Sequence, residues 1–184
     1  MRAQQYCLLL LLLLSPFKSF AEQDFKVNDV EGMWRDGVYH IDIRITSLLS
    51  GNAIEALHKG VALTIVLDVY VTKSRRYWLD KQVASLSQRY VLRYHALSDQ
   101  YLIENLNSGV KESFSSLQTA LDVMGDIDDL PILDRRNVQA SERYYARARV
   151  RLDLDALPVP LRMLAYFMPN WQLSSDWYIW TLRM

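Results

Sequence analysis

The chain has 184 residues, with 21 basic and 21 acidic side chains, one cysteine and three histidines. That length suits one domain with a buried core, and the balanced charge gives no sign of a nucleic-acid binder. A single cysteine, Cys7, excludes a disulfide framework.

The first 21 residues carry the marks of a cleavable signal peptide. Arg2 supplies the basic start, Cys7 to Leu14 the apolar run, and Ser19-Phe20-Ala21 a small-x-small cleavage site. The run is far shorter than the roughly 20 apolar residues of a spanning helix, so an uncleaved anchor is the less favoured alternative. Cys7 opens the run rather than following it, which argues against lipidation. Cleavage after Ala21 leaves one exported domain, 22–184, with a formal charge of about −2 and no thiol, stabilised by packing alone.

Alternation from Val38 to Ile45 predicts a strand with Tyr39, Ile41, Ile43 and Ile45 on one face and His40, Asp42 and Arg44 on the other. Asp36-Gly37 suits the turn of a hairpin to an earlier strand near Phe25 to Val30. Asn52 and Glu55 resemble a capping box for a short helix over Ala53 to Lys59, stopped by Gly60. Val61 to Val71, apolar at every odd position, is the strongest predicted strand. Val83 to Ala96 alternates again and returns through Leu97-Ser98-Asp99 into a strand over Gln100 to Glu104.

Ser115 and Gln118 predict the cap of a second helix carrying Leu117, Leu121 and Met124, after which Asp126 to Pro131 is expected to be loop. From Arg143 to Leu152 the period is two once more. Tyr144, Ala146, Ala148, Val150 and Leu152 share one face, and Arg143, Tyr145, Arg147, Arg149 and Arg151 the other. Pro160 is expected to open a third helix over Leu161 to Phe167 that Pro169 ends, and Trp171 to Leu182 is aromatic and extended. Five or more strands with two or three short helices predict a mainly β fold, either an antiparallel β-sandwich or a curved antiparallel sheet.

Chemistry-bearing patterns are sparse. His40, His58 and His95 have no partner at metal-ligand spacing, and Asp126, Asp128 and Asp129 lack the glycine and distant glutamate of a calcium loop. No serine stands in a nucleophile elbow and no glycine pair forms a phosphate loop, so neither catalytic residues, metal nor cofactor are expected. Two candidate interaction surfaces remain. One is the arginine face of Arg143, Tyr145, Arg147, Arg149 and Arg151, suited to an anionic lipid headgroup, a glycan or an acidic partner unless acids such as Asp42 and Asp68 neutralise it or it is simply solvated. The other is the aromatic end with Trp171, Trp177 and Trp180, in which Trp177 and Trp180 fall on opposite sides of a strand.

Glu55-Ala56-Leu57 with Gly60-Val61, Tyr94-His95-Ala96-Leu97 with Tyr101, Phe114-Ser115-Ser116-Leu117 with Ala120-Leu121, and Leu157-Pro158-Val159-Pro160-Leu161-Arg162 leading to Trp171-Gln172-Leu173-Ser174-Ser175 and Trp177 together carry a resemblance. The chain resembles, over essentially its whole mature length, an exported Gram-negative bacterial family catalogued as domain of unknown function 4390. The resemblance implies a signal peptide and a periplasmic location. It also implies, through gene neighbourhood, an envelope sensor kinase as partner, and it brings no catalytic or cofactor residues.

Three functions follow in order of expectation. The first is a noncatalytic extracytoplasmic binding or accessory domain. The second is a carrier of a lipid or other apolar ligand in a cavity lined by Leu63, Ile65 and Leu67. The third is an envelope hydrolase, which requires clustered carboxylates or a serine beside His40 or His95.

Overall fold

The computed structural model describes residues 25–75, 79–139 and 141–183, so the proposed signal peptide lies outside the described residues. The described chain runs β1 (Phe25–Arg35), β2 (Val38–Ser47), α1 (Gly51–His58), β3 (Leu63–Lys73), β4 (Lys81–His95), β5 (Gln100–Asn105), β6 (Lys111–Phe114), α2 (Leu117–Gly125), β7 (Asp126–Asp134), β8 (Tyr144–Leu152), α3 (Val159–Phe167) and β9 (Tyr178–Thr181). The strands form two antiparallel sheets, one ordered β1-β2-β7 and the other β6-β5-β4-β3-β8-β9. The protein is thus mainly β, two packed antiparallel sheets with three short helices and no closed barrel.

The predicted first hairpin forms. Asp36 and Gly37 both take positive φ, 49° and 82°, the mirror-image turn whose twist matches its strands, and Phe25 to Arg35 pairs with Val38 to Ser47. β3 runs through the middle of the larger sheet between β4 and β8, and nearly all of its side chains are buried, which explains the near-continuous apolar sequence. Its odd positions, Leu63, Ile65, Leu67, Val69 and Val71, meet Tyr39, Ile41 and Ile43 of β2 in a common core.

Four expectations need correction. The first helix is capped by Ser50, whose side chain accepts from the Ala53 amide, rather than by Asn52. The second is capped by Ser116 accepting from Thr119, one residue beyond the expected cap. Strand β6 was not anticipated, being only four residues long and largely exposed.

Asp126 to Pro131 is strand, not loop, and belongs to β7. There Ile127, Leu130, Ile132 and Leu133 turn inward while register shifts near Ile41 and His40 break the alternation. Pro131 is tolerated because β7 is an edge strand. The acids that make the segment look like loop are its solvent side. Asp126 and Asp128 hold Arg44 at 2.7 and 2.8 Å, and Asp129 holds Arg35 at 2.6 Å.

The three-stranded sheet is narrower than the six-stranded one. β7 packs across β3 and β4, while α2 lies beside it over β5 and β6. Helix α2 approaches β2 closely at Gly125, where a Cβ would stand 2.1 Å from the Ile45 carbonyl oxygen. The residues after β9 tie back to β1, with the Trp34 indole donating to the Arg183 carbonyl at 3.0 Å.

Candidate functional site

β8 pairs with β3 in a register that sets Tyr145 opposite Thr72, Arg147 opposite Tyr70, Arg149 opposite Asp68 and Arg151 opposite Val66. The small residues between them, Ala146 and Ala148, face the core and are fully buried, so the alternation of β8 commits every arginine from Arg147 to Arg151 to the outer face. On its other edge β8 pairs with β9, which puts Ile179 opposite Arg147 and Tyr178 opposite Ala148. Trp177, just before β9, continues the row of Ile179 on that outer face.

The outer face then divides in two. At one end the charges are neutralised. Arg151 Nε donates to the buried Asp68 at 3.0 Å, Ser87 donates to the same carboxylate at 2.6 Å, and Arg89 reaches the buried Asp153 at 2.6 Å. These groups hold β3, β4 and the end of β8 together. At the other end Arg147 and Arg149 stack on one indole, their guanidinium carbons 4.7 and 4.5 Å from the centre of the Trp177 ring. Tyr70 completes the platform, 5.6 Å from Trp177 and 5.3 Å from the Arg147 guanidinium.

The Nε atoms of Arg147 and Arg149 are buried and make no hydrogen bond, and among the described residues neither side chain forms an ion pair. An exposed guanidinium on an indole face gains about 0.5–1 kcal/mol, rising to about 2 when desolvated. That is enough to fix the two side chains without neutralising their charge. Two guanidinium forks one pleat apart, about 6.7 Å along the strand, suit bidentate contact with carboxylate or phosphate oxygens.

The remaining predicted surface residues separate. Tyr145 borders the platform and donates to Asp80 at 2.9 Å, and this bond, with the nearby carboxylate charge, pushes its phenol pKa up. Arg143 precedes β8, where its carbonyl accepts from the Ser74 amide. Trp171 is 3% exposed and belongs to the core at the turn Pro169–Trp171. Trp180 lies beside Ala146 and packs against the core, on the side opposite Trp177 as the alternation predicts. Of the two acids expected to neutralise the arginines, Asp68 does so only for Arg151. Asp42 sits on the other sheet and accepts from the Asp129 amide. Tyr70 was missed as a site residue, although its place among the polar-facing positions of β3 was visible in the alternation.

The histidines lie apart from this platform. His40 contacts Asp129 at 2.7 Å, His58 contacts the Tyr101 hydroxyl at 2.7 Å, and His95 contacts Ser98 Oγ at 2.9 Å in the exposed β4–β5 turn. Among the described residues no three His, Cys, Asp or Glu side chains are grouped to hold a metal ion, and no helix is long and apolar enough to cross a membrane.

The model of the family described as Domain of unknown function (DUF4390) matches residues 22–181, which takes in both sheets and every element of the platform. No curated protein and no solved structure shows significant similarity. With nearly the whole length after Ala21 matched, the chain belongs to the DUF4390 family.

Proposed function

We propose that the chain is exported to the periplasm by cleavage after Ala21 and acts there as a noncatalytic binding or accessory domain. In this reading Arg147 and Arg149 on Trp177 receive an acidic group of an envelope membrane protein, with a sensor kinase the first candidate. One observation carries it: two adjacent arginines are stacked on a single indole while the acids of the same face are taken by Arg151 and Arg89. Charge-assisted contacts with an incoming carboxylate or phosphate supply what the fold leaves unmet.

The noncatalytic part of the reading is supported by the Ser98–His95 pair, whose geometry is that of a turn bond on an exposed hairpin rather than of a nucleophile in a cleft. The carrier reading loses the cavity expected of it. Leu63, Ile65 and Leu67 are at most 1% exposed in a packed core, and the void nearest Ile65 and Leu67 holds about 10 Å³.

The test is crosslinking in living cells from a tagged chain, comparing the wild type with R147E/R149E. Capture of one membrane protein that falls at least tenfold in the variant supports the reading. Equal capture by both chains overturns it.

A further inference from the structure

Between the two sheets, on the other face of the six-stranded sheet from Arg147 and Arg149, the fold leaves a cleft of about 290 Å³. It arises because the smaller sheet ends at β7 and α2 covers β5 and β6 only in part. Its floor and walls are Tyr90, Ile103, Phe114, Met124 and Ile127. Its charged lining is entirely acidic, from Glu112, Asp126 and Asp128. Arg44 reaches Asp126 and Asp128 from outside the lining, leaving the rim net negative. The volume sits at the small end of the roughly 300–1,000 Å³ of small-molecule sites, which combine an apolar body with a few polar groups.

A second observation points inward. Tyr90, Met124 and Ile127 also line the interior void of about 10 Å³, on whose wall lies Ser47. Ser47 is 4% exposed and its Oγ makes no hydrogen bond. On the Tyr90 face of β4, Gln88 has a buried Oε1 without a partner as well. An unpaired buried polar atom costs about 1–3 kcal/mol, so Ser47 on the void behind the cleft is not the mark of a finished core. Burial also pushes the Tyr90 phenol pKa up, keeping it a neutral hydroxyl in the cleft wall.

We propose that this corner cleft is a binding site for a small cationic amphiphile, with the apolar body between Tyr90, Phe114 and Met124 and the ammonium group at Glu112, Asp126 and Asp128. A polar tip on such a ligand reaches toward Ser47. Fatty acids and other anionic amphiphiles are disfavoured by the same rim. The proposal is independent of the arginine platform and stands or falls without it.

The test uses the isotopically labelled domain 22–184, titrated with octylamine and with octanoate and followed by amide and methyl NMR. The expected result is saturable shifts at Met124 and Ile127 with octylamine, and binding of octanoate at least tenfold weaker. V110W, at a rim position that is 52% exposed, plugs the cleft and abolishes binding, and E112K removes the preference for the amine. V123W serves the same purpose should V110W fail to give a folded spectrum. Octanoate binding as tightly as octylamine, neither probe binding, or octylamine binding undisturbed by the plugging variant overturns the proposal.

Discussion

The guanidinium carbon of Arg149 lies 4.5 Å from the ring centre of Trp177, whereas its cross-strand neighbour Asp68 is bonded to Arg151. The register of β3 on β8 therefore sets an acid directly opposite one arginine, and the geometry gives that acid to the next. Arg147 and Arg149 are left stacked on Trp177 with no ion pair among the described residues.

This division predicts a split in stability. R147E/R149E removes two arginines that stack on Trp177, one of them also on Tyr70, and no ion pair, so chemical denaturation is expected to show a loss of less than about 1 kcal/mol per substitution. Asp68 is 4% exposed and accepts from both Arg151 and Ser87, so D68A orphans two donors and costs about 2 kcal/mol or more. Equal losses in the two variants would make the arginines structural.

Trp177 is the support of the platform, and W177A is expected to release both arginines to solvent. Measured against the captured partner, it weakens binding about tenfold by raising the ordering cost of each side chain. Arg147→Lys with Arg149→Lys keeps the charge but loses the planar fork and falls between wild type and R147E/R149E.

The order of the strands was less legible than the strands themselves. β2, β3, β4 and β8 announced themselves by period-two alternation, since each has one face in the core. β7 did not, because its bulges displace the inward residues from strict alternation and its acids and Pro131 are the composition of a loop. Both helix caps differ from the residues the sequence points to because several cap-forming residues cluster at Ser50 to Asn52 and at Ser113 to Ser116. The arginine row was visible in the sequence. Its partition was not, because it depends on which strand lies opposite and on Trp177, brought in by β9.

Gly125 predicts a second stability effect. G125A places a methyl group 2.1 Å from the backbone oxygen of Ile45, which can move only with β2. Overpacking of this kind costs about 1–3 kcal/mol, and hydrogen exchange of the α2 and β2 amides is expected to accelerate together. An unchanged midpoint of denaturation would mean that α2 shifts freely.

Asp134 gives a pH signature. The Arg136 guanidinium and amide hold its carboxyl pKa down at about 2, against 3.8 for a free aspartate. A depressed folded-state pKa adds stability above the unfolded value, so this contribution is present from about pH 4 upward and is lost as the pH falls toward 2. Carboxyl NMR is expected to show Asp134 titrating near 2 in the wild type and nearer the ordinary aspartate value in R136Q. A midpoint that R136Q leaves in place would assign the shift to another cause.

The acidic-partner account is tested most directly by NMR of the arginine Nε–Hε and tryptophan indole signals during titration with hexaglutamate at low salt. The account predicts saturable shifts at Arg147, Arg149 and Trp177 ahead of every other arginine, abolished in R147E/R149E and retained in K26E/R136E, which changes the same charge elsewhere. Shifts of similar size across all arginines, or none at Arg147 and Arg149, would contradict it.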